Sequence, residues 1–307
     1  MIPKEKCESI GFHHHLCLRV YFKREECTTS MGENECLTVT VIGTCRVHDT
    51  LAQVEKEGLV QINNGGMSTF VHSLPEVLMR LKVFGCDATY SSEIVDLQVG
   101  IRKGVSLEPN KEFKFEETDV VVIEISTLKS IFFEKQPLQF NEVNRLLCTP
   151  HGEFGIELRA NMNYAFNNDE SSISVPKLPF PNTLSENHRQ IISKLRPKLM
   201  GEEDIVSYLD LIHEYAKKPI LFVNHINVEG VNGKKITSRN KLCRIIEKYC
   251  AQHDFALFEP STLFAVHERK TLLAKDGEDL AHYAKSGLRI VGMEQYKLIL
   301  QLIQSSV

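Results

Sequence analysis

Two groups of residues have the types and spacing that nucleophilic catalysis requires, and they lie far apart along the chain. Cys45 comes after the apolar run Leu37–Ile42 and the turn residue Gly43, and it precedes a stretch with helical spacing. A cysteine at a helix start lies near free backbone N–H groups, which favour the thiolate over the thiol. Cys45 is therefore the candidate nucleophile. The alternative is a small buried residue in a strand-to-helix turn, because buried cysteines are common.

The candidate base lies near the C-terminus, where Asp279 and His282 are three residues apart. On one turn the carboxylate can hold one ring nitrogen of the imidazole and fix its tautomer, which leaves the other nitrogen free to accept a proton. The alternative is an ordinary surface pair. His48, three residues after Cys45, is a second candidate base because i and i+3 side chains meet on a helix.

Strands and helices that alternate along the sequence must position these groups. Apolar runs predict strands at residues 37–42, 59–62, 119–127, 219–227 and 255–260; helical spacing predicts helices at residues 46–57, 68–83, 185–199, 202–217, 239–253 and 293–304. The run at Asp119–Thr127 is nearly continuous, which is typical of a parallel strand covered on both faces, and Glu124 within it needs a partner. We expect an α/β fold, a three-layer, open, mostly parallel sheet with helices on both faces, as in flavodoxin-like proteins.

The predicted organisation is an N-terminal appendage at residues 1–36, followed by a single α/β domain at residues 37–307. The appendage is rich in cysteine and histidine but matches no zinc-ligand spacing, so a loop with an edge strand at His15–Lys23 is favoured over a zinc site. Residues 150–182 interrupt the strand–helix rhythm and are interpreted as an insertion that could cover a site, with a strand at Ile156–Asn163 and a loop at Asn167–Pro181.

Composition excludes several classes of protein. The chain has 42% apolar residues and a net charge of −4, which fits a protein with a substantial core and makes nucleic acid an unexpected partner. Its apolar runs are too short to span a bilayer, and its start lacks the apolar core of a signal peptide. The nine cysteines are an odd number, which favours reduced thiols and a cytoplasmic location.

Polar residues follow several of the predicted strands and should therefore meet at one edge of the sheet. Gly65 and Gly66 follow the second strand and allow a ligand to approach the backbone closely. Thr127 ends the third strand, and Asn224 and His225 close the fourth. An alternative for His225 is a buried polar residue that fixes loops.

The sequence resembles the SGNH (GDSL-type) hydrolase superfamily over residues 37–307. The resemblance is carried by Val41-Ile-Gly-Thr-Cys-Arg46, Ile62-Asn-Asn-Gly-Gly-Met-Ser68, the Asp119–Thr127 strand and Asp279-Leu-Ala-His282. It is closest to branches with a cysteine nucleophile, the GSCFA-type family and the acyltransferase-like enzymes of capsule polysaccharide biosynthesis. The resemblance implies Cys45 as nucleophile, His282 as the base oriented by Asp279, and N–H groups of Cys45 and of Gly65 or Gly66 as oxyanion donors.

The chain departs from the superfamily pattern at two places. Thr44 replaces the usual Asp before the nucleophile, and Arg46 follows the nucleophile. Arg46 is expected to stabilise a thiolate or bind an anionic group of a donor, with a solvated side chain or a structural ion pair as alternatives. The superfamily's usual Asn after the third strand, an oxyanion donor, is absent here. Either Thr127, Asn224 or His225 supplies this donor, or the reaction differs from simple ester hydrolysis.

We therefore expect a cysteine-dependent acyltransferase or esterase that acts on a carbohydrate or other hydroxyl-bearing substrate through a thioester intermediate. No resident cofactor is required, although an acyl thioester such as acyl-CoA is a suitable donor. One alternative is a non-catalytic ligand-binding or interaction protein that keeps the fold, and a weaker one is a zinc-dependent interaction protein. We expect no membrane partner, and the sequence leaves the oligomeric state open.

Overall fold

The structure is a computed structural model of the 307-residue chain. It describes residues 36–64, 70–85, 87–88, 92–99, 114–168, 170, 172–230 and 233–305. The edge strand expected at His15–Lys23 and the candidate zinc ligands before Cys36 lie outside the described residues.

Eight strands and ten helices make up the described part of the chain. The strands are β1 (Leu37–Ile42), β2 (Val60–Ile62), β3 (Val120–Glu124), β4 (Lys129–Phe133), β5 (Gln136–Leu138), β6 (Leu195–Leu199), β7 (Ile220–Val223) and β8 (Ala256–Phe258). The helices are α1 (Cys45–Lys56), α2 (Leu74–Phe84), α3 (Val95–Val99), α4 (Phe140–Val143), α5 (Gly152–Asn168), α6 (Glu186–Ser193), α7 (Glu202–Ala216), α8 (Thr237–His253), α9 (Arg269–Leu272) and α10 (Lys285–Ser305).

The main sheet has the order β2-β1-β3-β7-β8, and every neighbouring pair is parallel. The central strand β3 is buried along its whole length. Val120 and Val122 pack into a core with α1 and α10, whereas Val121 and Ile123 pack into a second core with α2, α7 and α8. Successive side chains of a strand point to opposite faces, so helices cover both faces. The predicted fold class is confirmed.

A second, antiparallel sheet with the order β5-β4-β6 was not predicted. Its hairpin turns at Glu134, which has a positive φ of 56°. A left-handed turn is usually signalled by Gly or Asn, and neither is present in Glu134-Lys135, so the signal was missing. The hairpin returns the chain from the end of β3 to α4, beside the edge where the site lies.

Two predicted elements are wholly or partly of the wrong type, and two predicted helices begin at other residues. The strand expected at Ile156–Asn163 is part of α5, because Phe154, Leu158 and Met162 are buried at helical spacing. The exposed Ile156 on the opposite side of that helix obscured the period.

The helix expected at Ser185–Leu199 ends at Ser193 and is followed by β6. Pro197 lies within β6, and proline disfavours a helix interior but is tolerated in an edge strand such as β6. The helix expected at residues 68–83 begins only at Leu74, after Ser73 and with Pro75 in its first turn. The last helix begins at Lys285, eight residues before its expected start.

Candidate active site

The turn that carries Cys45 is tightly packed. Gly43 leaves no room for a side chain, because a Cβ there would lie 2.8 Å from both the Glu124 Cβ and the Val47 Cγ1. Thr44 caps α1, with its Oγ1 accepting a hydrogen bond from the Arg46 N–H at 3.4 Å. Cys45 is the first residue of α1 and is partly exposed at the carboxyl end of β1.

The resting form of Cys45 differs from the expected thiolate. Burial raises the pKa of its thiol, the Asp49 and Glu124 carboxylates raise it as well, and the Arg46 guanidinium lowers it. Because desolvation outweighs the favourable charge of Arg46 and the helix start, the thiol is the form at neutral pH. Attack by Cys45 therefore requires a base that removes its proton in the same step.

Arg46 forms a buried ion pair. Its Nε lies 2.6 Å from Oε1 of Glu124, and the side chains are 9% and 1% exposed. The other carboxylate oxygen of Glu124 accepts hydrogen bonds from the backbone N–H and the hydroxyl of Thr44. Glu124 thus has the partner that its position in β3 demanded, and of the alternatives for Arg46 the structural ion pair is the one observed.

The Asp279–His282 pair has the geometry of an orienting carboxylate and a base. Nδ1 of His282 lies 3.1 Å from Oδ2 of Asp279, and the other carboxylate oxygen accepts the Ala281 N–H at 2.8 Å. The Ala281 N–H holds the pKa of Asp279 below its ordinary value, so this carboxyl is ionised at neutral pH. With Nδ1 held in this way, Nε2 is left to accept a proton. The His282 ring is 59% exposed.

Arg46 also links the two groups. Its Nη1 donates to the backbone oxygen of Ala281 at 3.0 Å, so the residue after Cys45 bonds to the residue before His282. Asp49 gives a second sign of proximity: burial raises the pKa of its carboxyl, and His282 lowers that pKa when its ring is protonated. The structure therefore brings the His282 loop to the first turn of α1.

The residues on either side of the Gly65-Gly66 stretch bond to β1 and to the turn before Cys45. Oδ1 of Asn64 accepts the Val41 N–H at 3.1 Å, and the Val71 N–H donates to the Gly43 oxygen at 3.0 Å. Gly65 and Gly66, the predicted oxyanion donors, lie outside the described residues, so their role stays a prediction.

A cavity of about 290 Å³ lies at this edge of the sheet. Of the candidate residues named from the sequence, Arg46, Thr127 and His225 line this cavity, whereas Cys45, Asp279 and His282 are not among its lining residues. The other four lining residues, His72, Ser126, Phe140 and Asn141, were not foreseen. A signal existed for Ser126, which lies two residues after the end of β3. None existed for Phe140 and Asn141, because the unpredicted hairpin brings them back to the sheet edge.

The two residues after β7 have different roles. His225 is buried and lines the cavity, its Nδ1 is 3.2 Å from the Ile226 oxygen, and burial holds its pKa well below the ordinary value. It is therefore a neutral side chain at the site. Asn224 is not among the residues that line the cavity, and its Nδ2 donates to Glu259 at 2.6 Å.

The alternative base His48 is poorly suited to the role. Burial lowers its pKa to about 4, and its ring lies 5.4 Å from that of Phe70 and within 3.5 Å of the Asn64 amide. A histidine with so low a pKa is a weak proton acceptor near pH 7.

The described residues contain neither a metal-binding cluster nor a membrane-spanning helix. Among them, no group of three or more His, Cys, Asp or Glu side chains is placed to hold a metal ion. Within that same part of the chain, no helix is long and apolar enough to cross a membrane.

The chain is similar to a family of known proteins. The family model described as the TviD N-terminal domain matches residues 37–297. The Vi polysaccharide biosynthesis protein TviD of Salmonella typhi is 23% identical over 262 residues, which are 82% of this chain and 30% of that protein. The chain thus spans less than a third of the length of this curated relative.

Among solved structures, two esterases are similar over 87% of this chain. A catalytic mutant of an acetylxylan esterase from Geobacillus stearothermophilus has a TM-score of 0.33 at 12% identity over 94% of its length. The inhibitor-bound aryl esterase of M. smegmatis has a TM-score of 0.32 at 10% identity over its full length, 100%.

Proposed function

The chain belongs to the TviD N-terminal domain family, and on this premise we propose that it is an acyltransferase or esterase that uses Cys45 as its nucleophile. Its substrate is a carbohydrate or another hydroxyl-bearing molecule, and the acyl group passes through a thioester on Cys45. The support for a carbohydrate is the name of the relative, a Vi polysaccharide biosynthesis protein.

The bond from Arg46 to Ala281 is the observation that carries this proposal. It fixes the loop of the Asp279–His282 pair against the turn that presents Cys45. A nucleophile, a base and a carboxylate that orients the base are the parts that covalent acyl transfer needs.

The raised pKa of Cys45 sets the order of proton movements. His282 Nε2 takes the thiol proton as the sulfur attacks the acyl carbonyl carbon, and a carbon–sulfur bond forms. When the tetrahedral intermediate collapses, the protonated His282 gives its proton to the leaving thiolate or alkoxide. His282 then removes a proton from the acceptor hydroxyl, which attacks the thioester and releases Cys45 as a thiol.

An acyl thioester such as acyl-CoA is the donor we propose, because exchange between two thioesters is close to balanced in free energy and leaves an acyl group that a hydroxyl can accept. With water as the acceptor, the same steps amount to hydrolysis.

We also propose a cytoplasmic location, since the described cysteines, Cys36, Cys45, Cys148, Cys243 and Cys250, are all free thiols.

A non-catalytic binding protein is the second candidate, and the raised pKa of Cys45 is the observation that favours it. Steady-state hydrolysis of p-nitrophenyl acetate, with and without a sugar acceptor, separates the two. The enzyme proposal expects turnover that Cys45→Ala and His282→Ala both abolish while the melting temperature is unchanged. A wild-type protein without turnover on activated esters and acyl-CoA supports the binding protein instead.

A further inference from the structure

The superfamily pattern places an asparagine after the third strand, and the sequence has Ile125-Ser126-Thr127 at that point. The structure brings another asparagine to the same cavity. Asn141, in the first turn of α4, lines the cavity together with Ser126 and Thr127. The β4–β5 hairpin lies between β3 and α4 in the chain, so its return to the sheet edge is what makes this placement possible.

A chain of hydrogen bonds holds the Asn141 amide. Its Nδ2 lies 2.8 Å from Nε2 of His72, and Nδ1 of His72 lies 2.9 Å from the Ser126 hydroxyl oxygen. The Ser126 hydroxyl is 3.5 Å from the backbone oxygen of His72 and donates to it. Because Nδ2 of Asn141 faces Nε2 of His72, that ring nitrogen accepts the hydrogen bond, the single ring proton lies on Nδ1, and His72 donates to the Ser126 hydroxyl.

This tautomer matches the orientation of the amide. Burial lowers the pKa of His72, so the ring is neutral at pH 7 and its Nε2 carries a lone pair. The partner of that lone pair is the NH₂ group of Asn141, which donates one N–H to it. One N–H is used in this bond, and the second has no acceptor among the described residues. The same tautomer means that His72 is not a base for Ser126.

Further hydrogen bonds hold the backbone around His72 and Ser126 in place. The backbone oxygen of His72 accepts the Ser126 N–H at 2.9 Å and the Thr127 N–H at 3.2 Å. The buried Glu76 carboxylate accepts the His72 N–H at 2.9 Å and the Ser73 hydroxyl at 3.0 Å. A donor that is fixed before the reaction starts stabilises a developing negative charge without reorganisation.

Arg46 also lines the cavity, but its guanidinium is committed to Glu124 and Ala281. We propose that Asn141 is a catalytic residue that donates its second N–H to the acyl carbonyl oxygen, and that His72 is a positioning residue for this amide. This inference rests on the proposed function. As the carbon–sulfur bond to Cys45 forms, the carbonyl π pair moves onto oxygen, where Asn141 donates to it; the pair returns when the leaving group departs.

The experiment measures kcat and KM for p-nitrophenyl acetate in variants of the full chain. Asn141→Ala and the isosteric Asn141→Asp remove the donor, and loss of one such donor lowers kcat by about 10²–10³ with little change in KM. Asn144→Asp is the matched control, since Asn144 lies one turn along the chain and is not among the residues that line the cavity. It is expected to keep wild-type kcat.

A double variant tests whether His72 acts on kcat through Asn141. His72→Ala is expected to lower kcat by about tenfold, and the double variant with Asn141→Ala is expected to equal Asn141→Ala alone, because both changes remove the same interaction. A structural role for His72 alone would instead give multiplying effects. Circular dichroism and thermal melting of each variant identify any that do not fold, and the isosteric Asp variant then decides the result for Asn141.

Failure of this inference is distinct from failure of the proposed function. If Cys45→Ala is inactive but both Asn141 variants stay within about twofold of wild-type kcat, the role of Asn141 is wrong and the nucleophile stands. If Cys45→Ala keeps wild-type turnover, the proposed function is wrong and the role of Asn141 falls with it.

Discussion

Arg46 donates a hydrogen bond from Nη1 to the backbone oxygen of Ala281 across a sequence separation of 235 residues. The same guanidinium is paired with Glu124 at the end of the central strand. One buried side chain thus joins the nucleophile turn, the middle of the sheet and the loop of the candidate base. This arrangement explains how the Cys45 turn and the Asp279–His282 loop meet although they are far apart along the chain. Arg46 therefore positions the loop against the turn.

Loss of the Glu124 carboxylate should destabilise the fold strongly. Glu124→Ala leaves the Arg46 charge buried without its partner, and breaking a buried pair in this way costs about 3–5 kcal/mol. Urea unfolding measures the change. Glu117→Ala is the control, because Glu117 pairs with Lys114 while both side chains are more than half exposed, and its unfolding midpoint should barely move. Equal midpoints for the two variants would contradict the structural role of the Arg46–Glu124 pair.

The thiol form of Cys45 predicts how alkylation depends on pH. In a Cys36→Ser background, which removes an exposed thiol, labelling of Cys45 by iodoacetamide should be slow at pH 7 and accelerate steadily above pH 9, because the thiolate reacts and burial raises the pKa. Mass mapping of labelled peptides follows each site.

The buried Cys148, Cys243 and Cys250 provide an internal comparison for this labelling. Burial raises their pKa values to about 11, 12 and 12, so they should stay unlabelled while the fold is intact. Fast labelling of Cys45 near neutral pH would show that the thiolate is the resting form after all.

Asp279→Asn should lower kcat without affecting stability much. The amide cannot hold the His282 tautomer that leaves Nε2 free, and general acid–base catalysis is worth about 10²–10⁴ in rate. The matched control is Asp276→Asn in the same loop, where the side chain is exposed and Asn tolerates the left-handed backbone at φ 54°. Similar kcat values for the two variants, measured with p-nitrophenyl acetate, would remove the Asp279–His282 pair from the mechanism.

Glu76 makes stability depend on pH. Burial raises its pKa from 4.5 to about 7 in the folded protein, so between these values the folded state binds a proton that the unfolded state has lost. Stability contributed by this proton is present below pH 4.5 and is lost as the pH rises towards 7, on the order of 3 kcal/mol.

Glu76→Gln should remove this part of the pH dependence, since the amide does not titrate. Urea unfolding of both proteins at several pH values between 4.5 and 7 measures the difference. Parallel curves for the wild type and the variant would mean that Glu76 does not titrate in this range.

The main sheet could be predicted because most of its strands are continuous apolar runs. Glu124 shows that even a charged residue within such a run gave useful information, since it required a buried partner. The partner itself, Arg46, could not be identified, because the sequence does not distinguish a solvated arginine from one in a buried ion pair.

The rest of the site depends on features that a local pattern does not encode. The Glu134-Lys135 turn lacks the usual turn residues, so neither the hairpin nor the arrival of Asn141 at the cavity could be foreseen. The resting state of Cys45 is likewise set by burial from distant parts of the chain. The sequence predicted a thiolate instead, because it shows that Cys45 starts a helix. It does not show how deeply the sulfur is buried.

The most direct test of the central claim is to trap the acyl-enzyme. The protein is mixed with p-nitrophenyl acetate, quenched in acid within the first turnovers, and analysed by intact mass and peptide mapping. We predict one acetyl group per chain, on Cys45, absent from Cys45→Ala and reduced in His282→Ala. Turnover with no acetyl group on Cys45, or with the acetyl group on another residue, would contradict the assignment of Cys45 as the nucleophile.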